Sequence, residues 1–130
     1  MVKSSYKKHI FLDKHIGQIK NPDIIYEYKS KTCGDNLRIT IKLSKDKSKI
    51  EDIKYFIFGC PGIMAGSAAT AYLLKGKTIE EVKNISNEDV LSMLDGYPEE
   101  KIGCILKMLE IVKDEVLDMW SKLWRKKKFY

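Results

Sequence analysis

Three cysteines, Cys33, Cys60 and Cys104, stand in a chain of 130 residues. The count is odd, so they cannot all pair with one another as disulfides. Cys33 lies in Thr-Cys-Gly-Asp, Cys60 in Phe-Gly-Cys-Pro-Gly, and Cys104 follows Ile102-Gly103. Thiolate is the form of cysteine that binds soft metals or attacks sulfur. Two of the three fall near expected helix N-termini, where the helix dipole favours an anion. Gly34, Gly59 and Gly62 strip bulk from beside the thiols, which would admit a cluster or a partner's loop. Asp35 follows Cys33 by two residues and offers an oxygen ligand. No Cys-x-x-Cys pair is present, so the usual structural zinc spacing is absent. On spacing alone, shared metal or sulfur chemistry and three separate buried thiols both remain open.

The elements that must position these residues are legible in the hydrophobic pattern. Ile24-Ile25-Tyr26-Glu27-Tyr28 is β-branched and aromatic, as a strand would be. Leu37 to Leu43 alternates apolar and polar residues strictly, the period of a half-buried strand. After a polar turn at Ser44 to Lys49, a second alternating run extends from Ile50 to Phe58, and the two form an antiparallel hairpin. Tyr55, Phe56 and Phe58 are expected in the core, with burial becoming two-sided toward Phe58. Pro61 suits a first helical position, and Gly76 ends the helix that follows. Thr78-Ile-Glu-Glu81 has the form of a capping box, and Ser86-Asn-Glu-Asp89 offers another N-cap. Ile102, Ile105, Leu106, Leu109, Val112, Val116, Trp120 and Leu123 keep helical spacing over one long helix. Strands first and helices afterwards predict an α+β domain. It would have a three-stranded antiparallel sheet, helices packed on one face and a long C-terminal helix.

Length and composition fit one compact domain over residues 1–130, with 44% hydrophobic and 32% charged residues. The net charge of +6 is unevenly placed: residues 1–20 carry +4 and residues 121–130 carry +5, leaving −3 for the hundred between them. The basic residues form a tail and an N-terminal segment rather than a patch on the domain, so no nucleic-acid partner is expected. No apolar run reads as a targeting or membrane segment. A cytoplasmic protein without a membrane partner follows as the expectation, and in that compartment free thiols point to metal or sulfur chemistry.

The sequence resembles the IscU/NifU-type iron–sulfur cluster assembly scaffolds. The resemblance runs through His9-Ile-Phe, Ile16-Gly17, Asn21-Pro22-Asp23 and Cys33-Gly34-Asp35. It continues through Phe58-Gly59-Cys60 with its small-residue helix, Lys75-Gly76-Lys77-Thr78-Ile79-Glu80-Glu81, and Pro98-Glu-Glu-Lys101 ahead of Cys104. It implies a scaffold rather than an enzyme, one that is a sulfur acceptor at most. Such a protein accepts persulfide sulfur from a cysteine desulfurase, together with iron, on its three cysteines. It passes a transient [2Fe-2S] cluster to apo iron–sulfur proteins. By resemblance, Cys33, Cys60 and Cys104 are ligands and sulfur acceptors, and Asp35 joins the metal set and keeps the cluster labile. The alternative within the same resemblance is a zinc-bound, SUF-type sulfur acceptor that works with a desulfurase. The resemblance also implies that residues 1–20 are mobile and that the chain is a monomer or a weak homo-oligomer.

Two departures from the family pattern bear on function. Gly103 stands where IscU-type scaffolds usually carry a metal-ligating histidine, so a cluster held here is expected to be less stable. Of the Leu-Pro-Pro segment ending in Lys that binds an Hsp70-type chaperone in many relatives, only Pro98 and Lys101 persist. They stay as candidate partner-binding residues, while the expectation of that chaperone weakens.

Overall fold

The computed structural model describes residues 4–5, 15–29 and 34–129. His9 and Cys33 lie outside the described residues. Chain order begins with a two-residue strand β1 (Ser4–Ser5), followed by β2 (Ile24–Lys29), β3 (Asn36–Leu43) and β4 (Ile50–Phe58). Then come helices α1 (Pro61–Leu74), α2 (Ile79–Lys83) and α3 (Asn87–Leu91), and a short strand β5 (Leu94–Asp95) that pairs in parallel with β1. Strands β2, β3 and β4 form an antiparallel sheet in that spatial order.

Alternation decides which side of the sheet is covered. Ile24, Leu37, Ile39, Ile41, Ile53 and Tyr55 are buried and form one core with the apolar residues of the helices. Registered rows such as Glu27–Arg38–Phe56 face the other way. Phe56 and Phe58 are therefore not core residues: they are 57% and 79% exposed. Among the described residues the sheet carries its helices on one side only, so period-two alternation continues to the end of β4 and no helix covers the outer face at Phe56 and Phe58.

Residues 15–19 are hydrogen-bonded to the sheet. The Tyr55 N–H donates to the His15 carbonyl (2.9 Å), and the Gly17 N–H donates to the Tyr55 carbonyl (2.8 Å). The Ile19 N–H donates to Thr40 Oγ1 (3.0 Å). These bonds satisfy part of the free edge of β4, which would otherwise be open to pairing with another chain.

The capping box at Thr78 and the N-cap at Ser86 form as the sequence predicts, and the second is also a full capping box. Thr78 and Glu81 cap α2 reciprocally, and Ser86 and Asp89 cap α3. Helix α1 ends at Leu74, and Gly76 beyond it takes φ of 84°, a left-handed conformation that favours glycine. The expected long C-terminal helix is present, with a break at Leu106 and a π turn inside it. A 3-10 turn (Glu99–Lys101) leads into α4 (Ile102–Ile105), then α5 (Lys107–Ile111), a π turn (Val112–Val116) and α6 (Leu117–Phe129). The extra residue per turn in the π segment shifts the apolar stripe, so that both Val116 and Leu117 are buried.

Asp23 ties the chain leading into β2 to the hairpin. Its carboxylate accepts from the Leu43 N–H (2.8 Å) and from Lys47 Nζ (2.8 Å). Burial pushes the Asp23 carboxyl up, but the bonds from Lys47 and Leu43 and the charges of Lys47 and Lys42 outweigh it and hold it below its ordinary value of 3.8. A carboxyl depressed on folding adds stability above the unfolded value, and that stability is lost as pH falls through the folded one. Asp23→Asn is therefore expected to cost about 1.5–3 kcal/mol near neutrality, as for hydrogen bonds to charged groups. Urea unfolding should show the gap from the parent protein closing as pH falls below about 4.

Candidate metal centre

The hairpin register builds the site. Asn36 pairs with Phe58 at the open end of the β3–β4 ladder. The residues just outside that pair, Asp35 on one side and Gly59 and Cys60 on the other, are therefore brought together. The Cys60 N–H donates to Asp35 Oδ1 (3.1 Å). Asp35 is buried, and it lies so close that a Cβ at Gly59 would stand 2.5 Å from Oδ1 and 3.0 Å from Cγ. Gly59 thus leaves the space that the carboxylate occupies. Before Asp35, Gly34 takes φ of 70°, again a glycine conformation.

Cys60 is the N-cap residue of α1, with Pro61 in the first turn and no side-chain cap. Its thiol is therefore not committed to the helix and is left for the site. Cys104 arrives from α4, which packs against α1. One ligand atom from each of Asp35, Cys60 and Cys104 lies within 4.8 Å of the other two. Tetrahedral thiolate ligands around zinc stand about 3.8 Å apart, given bonds near 2.3 Å. Closing the remaining distance takes only small side-chain rotations. The donor set of two thiols and a carboxylate suits zinc or iron with sulfide. The position of Cys33, the third expected thiol, lies outside the described residues.

Electrostatics at Cys104 differ from the sequence expectation that a helix N-terminus would favour its thiolate. Burial pushes the thiol up, and its hydrogen bond with Cys60 and the charges of Cys60 and Asp35 add to the rise. The Lys101 charge acts the other way without cancelling it. Helix α4 has only four residues, too short for its dipole to compete. A metal that displaces this proton relieves the mutual repulsion of the three groups.

Pro98 and Lys101 close the turn ahead of α4, with the Lys101 N–H donating to the Pro98 carbonyl (3.0 Å). Pro98 is exposed and Lys101 half-buried, one turn before Cys104. Gly103 is exposed, and a Cβ built there meets nothing within 4 Å. Phe58 stands two residues before Cys60 and is exposed. The Lys101 charge acting on Cys104 was not foreseen, although the three-residue spacing on a helical segment carries that signal. Gly66, read in the sequence as one of a run of small residues, also has a specific contact with the Cys104 helix.

The family model described as "NifU-like N terminal domain" matches residues 6–125. The iron–sulfur cluster assembly scaffold protein IscU 1 of Archaeoglobus fulgidus is 33% identical over 114 residues, covering 88% of this chain and 73% of that protein. The nitrogen fixation protein NifU of Azotobacter chroococcum is 33% identical over 98 residues, covering 75% of this chain but 32% of its own length. The chain thus spans about a third of that relative. Among solved structures, the N-terminal NifU-like protein of Brucella abortus superposes with a TM-score of 0.56 at 23% identity, covering 92% of this chain and 82% of that one. The same three-stranded sheet with helices on one face is therefore shared beyond close sequence likeness. With the family model spanning nearly the whole chain, the protein belongs to the IscU/NifU family, as a NifU-like N-terminal domain.

Proposed function

We propose that this protein is a scaffold on which an iron–sulfur cluster is assembled and then handed to apo-proteins. The observation that carries the reading is the convergence of Asp35, Cys60 and Cys104 donors within 4.8 Å of one another in a chain of this family. Cys33, two residues before Asp35 in sequence, completes the proposed set of three thiolates and one carboxylate. Iron and sulfur are cargo here. Persulfide sulfur would come from a cysteine desulfurase, be reduced to sulfide by two electrons from an external thiol or electron-transfer protein, and leave as part of a [2Fe-2S] cluster. The cysteines also serve as sulfur acceptors in this reading, and Pro98 and Lys101, in the turn ahead of Cys104, are the residues proposed to bind a partner.

What the residues contribute follows from their positions. Asp35 holds the Cys60 loop through the Cys60 N–H and supplies a harder oxygen ligand, from which a soft cluster dissociates more readily than from a fourth thiolate. Lys101 offsets part of the negative charge that gathers when the thiols ionise. Gly103 is exposed and has open space beside it, so a side chain there would meet no obstruction. A second reading is a zinc-holding sulfur acceptor of the SUF type, because three thiolates with Asp35 make a four-ligand zinc site without any histidine.

The backbone at Gly103 has no left-handed strain and its surroundings are open, so Gly103→His should fold normally. It is expected to lengthen retention of a reconstituted cluster about tenfold, read from the decay of visible absorbance in air, because imidazole adds a further ligand. Unchanged decay would mean that position 103 does not face the metal.

The two readings part in one experiment. The full chain is purified without oxygen, its zinc, iron and acid-labile sulfide are measured, and desulfurase, cysteine and ferrous iron are added, followed by an apo-ferredoxin. The scaffold reading expects sulfide-to-iron charge-transfer bands that move to the ferredoxin. Persulfide uptake with zinc retained and no cluster would replace it with the zinc reading.

A further inference from the structure

The two helices that carry Cys60 and Cys104 come into close backbone approach at Gly66. Helix α1 is buried over most of its length, through Gly62, Ile63, Ala65, Gly66, Ser67, Ala68, Ala69, Thr70, Ala71 and Leu74. At Gly66 it lies against the main chain of α4. A Cβ there would stand 1.8 Å from the Ile105 carbonyl oxygen, 2.5 Å from its carbonyl carbon and 2.6 Å from its Cα. All three are backbone atoms, so no change of rotamer relieves the overlap. The Thr70 hydroxyl donates to the Gly66 carbonyl (2.7 Å), which occupies that carbonyl and fixes the turn of α1 at the crossing.

We infer that Gly66 is a positioning residue for the metal centre, setting the separation of the Cys60 and Cys104 sulfurs through the contact of α1 with α4. The inference rests on the site reading above and adds a residue that touches neither metal nor sulfur. Ile105 follows Cys104 directly in sequence, and Cys60 is the N-cap of the helix that carries Gly66. A side chain at 66 forces the helices apart by roughly 1.5 Å before ordinary contact is restored. Because one thiol travels with each helix, that displacement goes into the gap between them. The donors already span up to 4.8 Å, so further opening exceeds what small side-chain rotations can close. Groups that orient metal ligands without touching the metal typically govern tenfold to a hundredfold in affinity.

The test uses Co²⁺ as the probe, titrated without oxygen into the full chain and into the Gly66→Ala and Ala68→Gly variants. Thiolate-to-cobalt charge-transfer bands report how many cysteines reach the metal. The zinc-induced rise in melting temperature is read against each variant's own metal-free melting point. Gly66→Ala is expected to weaken Co²⁺ binding about tenfold or more, to dim the charge-transfer bands and to shrink the zinc-induced rise. Ala68→Gly loosens the same buried helix without wedging it from α4. It should lower the melting temperature while leaving the bands and the zinc increment unchanged. If Gly66→Ala melts below the working temperature, the same readings are taken at about 10 °C in sucrose, which favours the folded chain. Gly66→Ala with parental affinity and bands overturns the inference. If those bands still vanish in Cys60→Ala and Cys104→Ala, the metal-site reading stands and the positioning role alone has failed. Bands that are absent from the parent protein, or indifferent to both cysteine substitutions, overturn the two together.

Discussion

Replacing either Cys60 or Cys104 by alanine is expected to weaken zinc binding by about a hundredfold or more and to leave no cluster that survives desalting. Structural zinc sites bind with roughly 10–16 kcal/mol, and an even share for one of four ligands is about 2.5–4 kcal/mol. That share corresponds to about two to three decades in affinity. The folded chain should tolerate both substitutions. Cys60 and Cys104 are half-buried and only pack against the edge of the core, so unfolding free energies should fall by about 1 kcal/mol or less. Loss of metal with retention of the fold therefore marks these thiols as ligands. Isothermal titration with zinc, beside urea unfolding of the metal-free variants, measures both quantities. Asp35→Ala should act more mildly and in two ways. It removes an oxygen ligand, and it removes the acceptor of the Cys60 N–H, whose bond anchors the cysteine loop to the end of β3.

The largest effect on stability is expected far from the metal. Trp120 is fully buried on α6, and its indole N–H donates to the Lys47 carbonyl (2.7 Å), across 73 residues of sequence. That carbonyl belongs to the turn between β3 and β4, at the opposite end of the hairpin from Asp35 and Cys60. One hydrogen bond thus ties the last helix to the sheet. Trp120→Ala is expected to cost about 3–5 kcal/mol, as for other large-to-small changes in cores. For a domain of this size that lowers the melting temperature by roughly 10–20 °C. Trp120→Phe keeps most of the volume and removes the donor, so its cost of about 1–3 kcal/mol isolates the carbonyl left without its partner. The eight residues of β3 separate this turn from the metal centre by roughly 25 Å, so zinc affinity of the folded Trp120→Phe protein should be unchanged.

Much of this architecture was readable in the amino-acid order because local signals agreed with one another. The alternation of Leu37 to Leu43 and Ile50 to Phe58 placed the hairpin, and both capping boxes formed where Thr78 and Ser86 stand. Errors arose where tertiary context decided. Phe56 and Phe58 look like core residues by hydrophobicity alone, yet the register puts them on the face that no helix among the described residues covers. The π turn at Val112–Val116 leaves the apolar spacing nearly helical, so periodicity could not reveal it. The docked residues 15–17 form a single bridge with Tyr55, too short for any strand pattern.

At the site, the pairing of Asp35 with the Cys60 loop was within reach. Once the hairpin closes over Ser44 to Lys49, the residues flanking its open end must meet. The approach of Cys104 was not, because it depends on how α4 crosses α1, and crossing distance is set by packing at Gly66 rather than by any spacing of cysteines. Only the family resemblance tied Cys104 to the other two in advance.

The central claim is that Asp35, Cys60 and Cys104 share one metal, and zinc-edge X-ray absorption on the zinc-loaded chain tests it most directly. The parent protein should show sulfur neighbours at about 2.3 Å and one oxygen neighbour at about 2.0–2.2 Å. The sulfur count should drop by one in Cys60→Ala and by one in Cys104→Ala, and the carboxylate oxygen should be lost or replaced in Asp35→Ala. A zinc shell made only of nitrogen and oxygen, or a sulfur count that neither cysteine substitution changes, would contradict the account.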